Sequence, residues 1–306
     1  MRNIVINEIG EMAQKDSRIV VMTADLGYGV LEKFSGSFPN RFFNVGISEQ
    51  FMASAAAGIA LCGNIVFTYS IGNFATLRCI EQIRNDICYH SANVKIIAVA
   101  GGFSYGQLGM SHHATEDIAM MRSLPNMQVF VPADPEEAHA CIAEAVQTDG
   151  PCYLRLARRG EPVLYQKTDQ FDITKIQTVR LGKDAALLVC GPLLQNGLAA
   201  ADCLEKAGIS IGVFSVPCIK PIDWDTLSGV AASYPLLVTL EEHEITGGLG
   251  GAVAEVLGEI QGSRARLCRL GLQDIYPSIV GSHQYLCDYY GLSPEKIAER
   301  VLQFVR

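Results

Sequence analysis

The 306-residue chain lacks a Walker-type GxxxxGK(S/T) segment, a CxxC pair and an HxxxH spacing. The first absence removes the main support for nucleotide phosphoryl transfer, and the second leaves no zinc-ribbon spacing. The third leaves helix-borne zinc chemistry without a motif. Positive charge is scarce too. The formal net charge is -8, and the densest basic run, RLARR from Arg155 to Arg159, is too short for a nucleic-acid stripe. No apolar run approaches the roughly 18 residues of a membrane span. The N-terminal MRNIVINEIGEMAQKD carries acids and no unbroken apolar core, so it is not expected to be a secretory signal.

What is present suits a globular protein of two domains: 49% hydrophobic and 18% charged residues. Ten cysteines lie scattered, mostly in apolar runs as Cys62, Cys141 and Cys190 do. They read as small core residues of a reducing compartment, which points to the cytoplasm.

Ile4, Val5, Ile9 and Met12 follow helical spacing, and Arg18–Asp25 is an apolar strand ending in an acid and two nearby glycines. Short β-branched runs recur at Asn64–Ser70, Val94–Ala100 and Gln128–Val131. Helical patterns separate them at Phe51–Leu61, Leu77–Tyr89, Thr115–Leu124 and Pro135–Val146. Such alternation predicts a parallel sheet covered on both faces, with ligands outside the carboxyl ends of its strands. Asp25, Glu49, Phe74 and the glycine-rich turn Gly101–Gly109 each follow a strand directly. The polar stretch from Arg159 to Gly182 breaks the rhythm and reads as a linker. Alternation then restarts from Ala185–Cys190 and ends in a helix over Pro294–Val305.

The stretch Asn44–Gly63, NVGISEQFMASAAAGIALCG, reads as a strand end, a turn at Gly46 and a helix capped by Ser48. Glu49 falls in the first turn, where the helix dipole favours an anion. The small residues behind it let another backbone come close. Gly247–Gly251 precedes a helix but fails the dinucleotide fingerprint, since Val253 stands where a third glycine or alanine belongs. Glu241, Glu242 and Glu244 beside it make a poor phosphate site, so a structural turn is expected. His112 and His113 are adjacent in an extended segment and point opposite ways, which disfavours joint chelation. One of them suits acid–base work or hydrogen bonding at a strand's carboxyl end.

The ordered set ADLGYG, FFNVGISEQFMASAAAGIAL, FATLRCIEQIRND, GMSHHATEDIAMMRSLPNMQVFVPAD and VTLEEHEITGGLGG resembles the carboxyl-terminal portion of transketolase. The resemblance covers nearly the whole chain and implies an α/β fold of two doubly wound domains. These would be a thiamine-diphosphate pyrimidine-binding domain over 1–160, a linker over 161–182 and the family's C-terminal domain over 183–306. The family's amino-terminal third, with the GDG...N motif that holds the diphosphate through Mg2+, has no counterpart here. The resemblance therefore implies one subunit of a split enzyme, completed by a second polypeptide and self-associating into a heterotetramer. By the same resemblance, Glu49 meets the aminopyrimidine of thiamine diphosphate and tunes an internal base. Phe74 stacks on that ring, Ile71 packs where a second aromatic is common, and Asp25 is a pocket acid. His112 contacts the donor ketose near its carbonyl, His113, which replaces a usual glutamine, binds the substrate with it, and Arg158 grips the sugar-phosphate end. No metal ligand falls on this chain.

Departures from the family pattern matter as well. Gln107 and Leu108 replace an acidic pair, and Ala100 and Gly29 stand where a phosphate-binding histidine and serine occur. Fewer polar contacts imply a less polar or differently configured sugar than the common pentose phosphates. Two other readings stand beside ketol transfer: the β subunit of a 2-oxo-acid dehydrogenase and a non-catalytic assembly subunit. Glu49 and His112 speak against the last, which has no need of them.

Overall fold

Strands apolar along their whole length need cover on both faces, and the structure, a computed structural model describing residues 1–157, 160–164, 172–261 and 265–305, supplies it. Helix α1 (Arg2–Lys15) buries Val5, Ile9 and Ala13, one residue per turn, against the first sheet. There follow β1 (Ile19–Thr23), α2 (Glu32–Ser37), β2 (Phe42–Asn44), α3 (Glu49–Leu61) and β3 (Ile65–Ile71). After α4 (Gly72–Ala75), a 3-10 turn (Leu77–Cys79), α5 (Ile80–Gln82) and a π turn (Ile83–Cys88), the chain enters β4 (Val94–Val99). Then come α6 (Asp117–Ser123), β5 (Gln128–Phe130), α7 (Pro135–Gln147) and β6 (Cys152–Leu156).

The second half adds β7 (Gln177–Arg180), β8 (Ala185–Val189), α8 (Leu194–Lys206), β9 (Ile211–Ser215), β10 (Cys218–Lys220) and α9 (Trp224–Ser233). It continues with β11 (Leu236–Glu244), α10 (Leu249–Glu259), β12 (Arg266–Leu272), α11 (His283–Tyr289) and α12 (Pro294–Val305). Two sheets result, ordered β10-β5-β6-β4-β3-β1-β2 and β12-β11-β8-β9-β7. All pairings are parallel except the edge strands β10 and β7, which run antiparallel to β5 and β9. The α/β class and the two-sheet architecture are those the sequence implies.

Several local expectations are revised. The helix expected over Leu77–Tyr89 opens as a 3-10 turn at Leu77–Cys79 and is helical from Ile80 onward, its hydrogen bonds passing from α5 to a π turn. Ser48 occupies the N-cap position of α3, yet its side chain makes no capping hydrogen bond. The stretch expected to be a linker holds β7, which completes the second sheet. Strand β10 crosses back to close the edge of the first, so the halves share a sheet. They share a core too: Met121 and Val131 belong to one buried cluster with Leu249 and Val253. All ten cysteines are free thiols, and eight are buried. Among the described residues no helix is long and apolar enough to cross a membrane.

In the first sheet, β2 lies on one side of β1 and β3 on the other. That reversal opens a crevice at the strands' carboxyl ends. Asp25 follows β1, Glu49 follows β2, Ile71 ends β3 with Phe74 after it, and Gly101 follows β4. Four neighbouring strands thus deliver the expected positions to one edge.

Candidate active site

Glu49 is the first residue of α3 and only 2% exposed. A buried carboxylate needs a partner. Arg78, on the 3-10 turn after α4, provides it by donating from Nη1 to Oε2 at 2.7 Å. The guanidinium carbon of Arg78 lies 3.9 Å from the centre of the half-buried Phe74 ring. Phe74 meets the His112 ring edge-on with centroids 5.1 Å apart. Ser111 Oγ lies 3.0 Å from His112 Nδ1, and Asn73 Nδ2 donates to the Ser111 carbonyl at 2.8 Å. Glu49, Arg78, Phe74 and His112 therefore form an unbroken row. Ile71, the buried last residue of β3, sits at the N-cap of α4 just before it.

Asp25 stands beside this row in a left-handed backbone conformation (φ 53°) that non-glycine residues adopt at a cost. Its amide donates to Asn44 Oδ1 at 2.9 Å, and the same oxygen accepts from Gly46 N at 3.0 Å. Asn44 thus ties the Asp25 loop to the turn that launches α3. The Asp25 carboxylate accepts from Tyr28 Oη at 2.7 Å.

His113 lies on the other side of its segment from His112. It is 2% exposed and edge-on to Phe103 at 5.2 Å, and burial pushes its pKa below the usual value. Arg158 lies outside the described residues.

A buried ion-pair network fixes the histidine segment from beneath. Asp117 opens α6; its Oδ2 accepts from Arg155 Nε at 2.8 Å and from Tyr153 Oη at 2.5 Å. Arg155 Nη2 donates to the Ala114 carbonyl at 2.7 Å and to the Glu242 carbonyl at 2.9 Å. The Glu242 carboxylate in turn accepts from Phe103 N and pairs with His283 Nε2 at 2.9 Å. One glycine of the glycine-rich turn is required by this contact. At Gly102, where φ is +60°, a Cβ would stand 2.2 Å from Glu242 Oε1. Below it lies a cavity of about 270 Å³ lined by Arg155, Asn196, Glu242 and His283, but not by the Glu49 row.

The Gly247–Gly251 turn holds a carboxyl group of the chain's own. Glu241 accepts from the amides of Leu249 and Gly250 at 2.7 and 2.8 Å, at the N-terminus of α10. Burial, outweighing these two bonds, pushes its pKa up to about 7.

Sequence reasoning missed Arg78, Arg155 and Glu242 as members of these networks. The one hint for Arg78 was its spacing four residues after Phe74, and nothing in RLARR marks Arg155 as the buried arginine.

The chain matches the family model for the pyrimidine-binding domain of transketolase over residues 1–161, and that for the transketolase C-terminal domain over residues 174–297. This chain belongs to the transketolase family. A putative transketolase C-terminal section from Methanocaldococcus jannaschii is 38% identical over 296 residues, 96% of this chain and 92% of that relative. An apulose-4-phosphate transketolase subunit from Actinobacillus succinogenes is 32% identical, over 99% of this chain and 97% of its own. A solved split-gene transketolase, an inactive β4 tetramer, superposes with a TM-score of 0.88 at 38% identity. That match covers 99% of this chain and 96% of the other. This transketolase-family chain thus corresponds, nearly end to end, to the separate C-terminal chains of split members. These relatives favour the transketolase reading over the dehydrogenase β subunit.

Proposed function

We propose that this chain is the C-terminal subunit of a split, thiamine-diphosphate-dependent transketolase that moves a two-carbon ketol unit between sugars. The observation that carries the reading is the buried carboxylate of Glu49 at the head of α3, in one row with Phe74 and His112.

The residues fit one half of the cofactor. A single carboxylate, a half-buried aromatic ring and the aliphatic Ile71 suit a flat, apolar-faced ring with polar nitrogens. They do not suit a diphosphate–Mg2+ pair, which needs several hard oxygen ligands. The one possible metal cluster among the described residues, Glu242, His283 and Cys287, offers a thiol and an imidazole instead. A second polypeptide therefore carries the diphosphate and Mg2+ ligands in this reading. Phe43, Ile47 and Phe51, exposed on either side of Glu49 in the chain, supply an apolar surface for it. Two copies of each chain make the proposed heterotetramer, and the compartment is the cytoplasm.

When bound, thiamine diphosphate supplies a nucleophilic ring carbon that can carry the ketol unit. Glu49 shares a proton with a pyrimidine nitrogen, a transfer that a dry pocket makes efficient. Phe74 and Ile71 hold the ring's faces, and Asp25 holds the polar rim of the pocket. His112 hydrogen-bonds the donor sugar near its carbonyl, His113 supports that segment from the buried side, and Arg158 binds the sugar's anionic end. The domain division proposed is 1–160, 161–182 and 183–306, with the middle stretch carrying β7 to the edge of the second sheet. The substrate is a modified sugar phosphate, since Leu108 offers no polar contact and is 55% exposed on the histidine loop.

The test is reconstitution. Mixing this chain with a complementary N-terminal subunit, thiamine diphosphate and Mg2+ should give ketol transfer that neither chain shows alone. Activity of this chain by itself, or none from the mixture, would overturn the reading.

A further inference from the structure

We infer that Arg78 is a positioning residue for ketol transfer, aiming the Glu49 carboxylate and the Phe74 ring at the same time. The inference rests on the proposed role of Glu49 and adds a residue to which that role gives no task.

The geometry is specific. Arg78 donates from one terminal nitrogen to Glu49 Oε2 at 2.7 Å, while the flat carbon of the same guanidinium lies 3.9 Å from the Phe74 centroid. A planar guanidinium can do both, because its donors lie in the plane and its attraction for an aromatic face lies perpendicular to it. Only Oε2 of the carboxylate is engaged by Arg78. The other oxygen would be left to share a proton with a bound ring. A carboxylate free to rotate about its terminal torsion would present either oxygen in many orientations, and one charge-assisted bond selects among them.

The backbone supports this role. A continuous α-helix from α4 onward would set Phe74 and Arg78 one above the other on its own surface. The chain instead breaks at Thr76 (φ -122°, ψ -82°) and places Arg78 on a separate 3-10 turn. That turn is followed by the π turn, whose Asp86 accepts from Ser54 Oγ of α3 at 2.5 Å. The segment carrying Arg78 is thereby registered against the helix carrying Glu49. The thiol of the next residue, Cys79, is pushed up to about 12, chiefly by burial, with the Glu49 charge adding to it. It stays neutral at physiological pH and does not compete for the carboxylate.

The experiment is a double-substitution cycle in the reconstituted enzyme, using Arg78→Met, Arg78→Lys, Glu49→Gln and the Arg78→Met/Glu49→Gln pair. Arg78→Met should lower kcat by roughly 10- to 100-fold, the scale of a lost charge-assisted bond, with a smaller change in sugar KM. Arg78→Lys keeps the charge and should recover part of the loss. In the Glu49→Gln background Arg78→Met should cost less than threefold in kcat, because the Phe74 contact that remains bears on cofactor affinity rather than on turnover. Full additivity, or an Arg78→Met enzyme with wild-type kcat, would overturn the inference. A Glu49→Gln enzyme with near-normal kcat would overturn instead the reading it rests on, so the two failures are distinguishable. Thermal melting of each variant separates a folding defect from a loss of positioning, since the cycle is read only among folded proteins.

Discussion

Arg155 and Asp117 pair at 2.8 Å with side-chain exposures of 4% and 1%, and the arginine also reaches the main chain of the other half at Glu242. One buried cation thus anchors the histidine segment, through the Ala114 carbonyl, to strand β11. Such a pair gives little net stability as a unit, but halving it leaves an uncompensated charge.

Arg155→Ala should therefore destabilise the chain by about 3–5 kcal/mol, measured by urea denaturation. Arg155→Ala combined with Asp117→Asn should cost less than the sum of the two single changes. A loss below about 1 kcal/mol for the single variant would show that the network is not what joins the halves.

Phe74→Leu keeps an apolar side chain but removes the stacking face. In the reconstituted enzyme the apparent affinity for thiamine diphosphate should fall by about 2- to 13-fold, the worth of an aromatic pair beyond its buried area. Unchanged affinity would remove Phe74 from the cofactor pocket.

Glu241 gives a pH signature. Its pKa is raised by burial from 4.5 to about 7 in the folded chain. The folded state thus holds a proton that the unfolded state gives up between these values. This contribution is fully present below pH 4.5 and is lost as pH rises through about 7, on the order of 3 kcal/mol in total. Glu241→Gln cannot ionise, so its stability relative to the parent should rise across that window. A difference between the two that stays constant with pH would contradict the burial argument.

Much of the fold is written in the apolar periodicity. Helix α12 begins at Pro294 and ends at Val305 as the spacing predicts, because proline at its start and an amphipathic repeat agree. Strand β6 is hidden because Arg155, a charged residue at the head of RLARR, is buried by partners distant in sequence. The stretch after Phe74 looks helical in composition and is so from Ile80, but its break at Thr76 and its π turn leave no mark in the periodicity. The site is legible in part for the same reason. Glu49 shows itself through its place at a strand-to-helix junction, whereas Arg78 reads as an ordinary surface charge until Phe74 and Glu49 are seen on either side of it.

The central claim is that the Glu49 carboxylate carries a proton for the cofactor, and the direct measurement is the kcat of a Glu49→Gln enzyme reconstituted with its N-terminal partner, thiamine diphosphate and Mg2+. The account predicts a complex that assembles as the parent does but turns over about 10²–10⁴-fold more slowly, the scale of a lost acid–base group. Turnover within a few-fold of the parent, in a complex shown to be fully assembled, would contradict it.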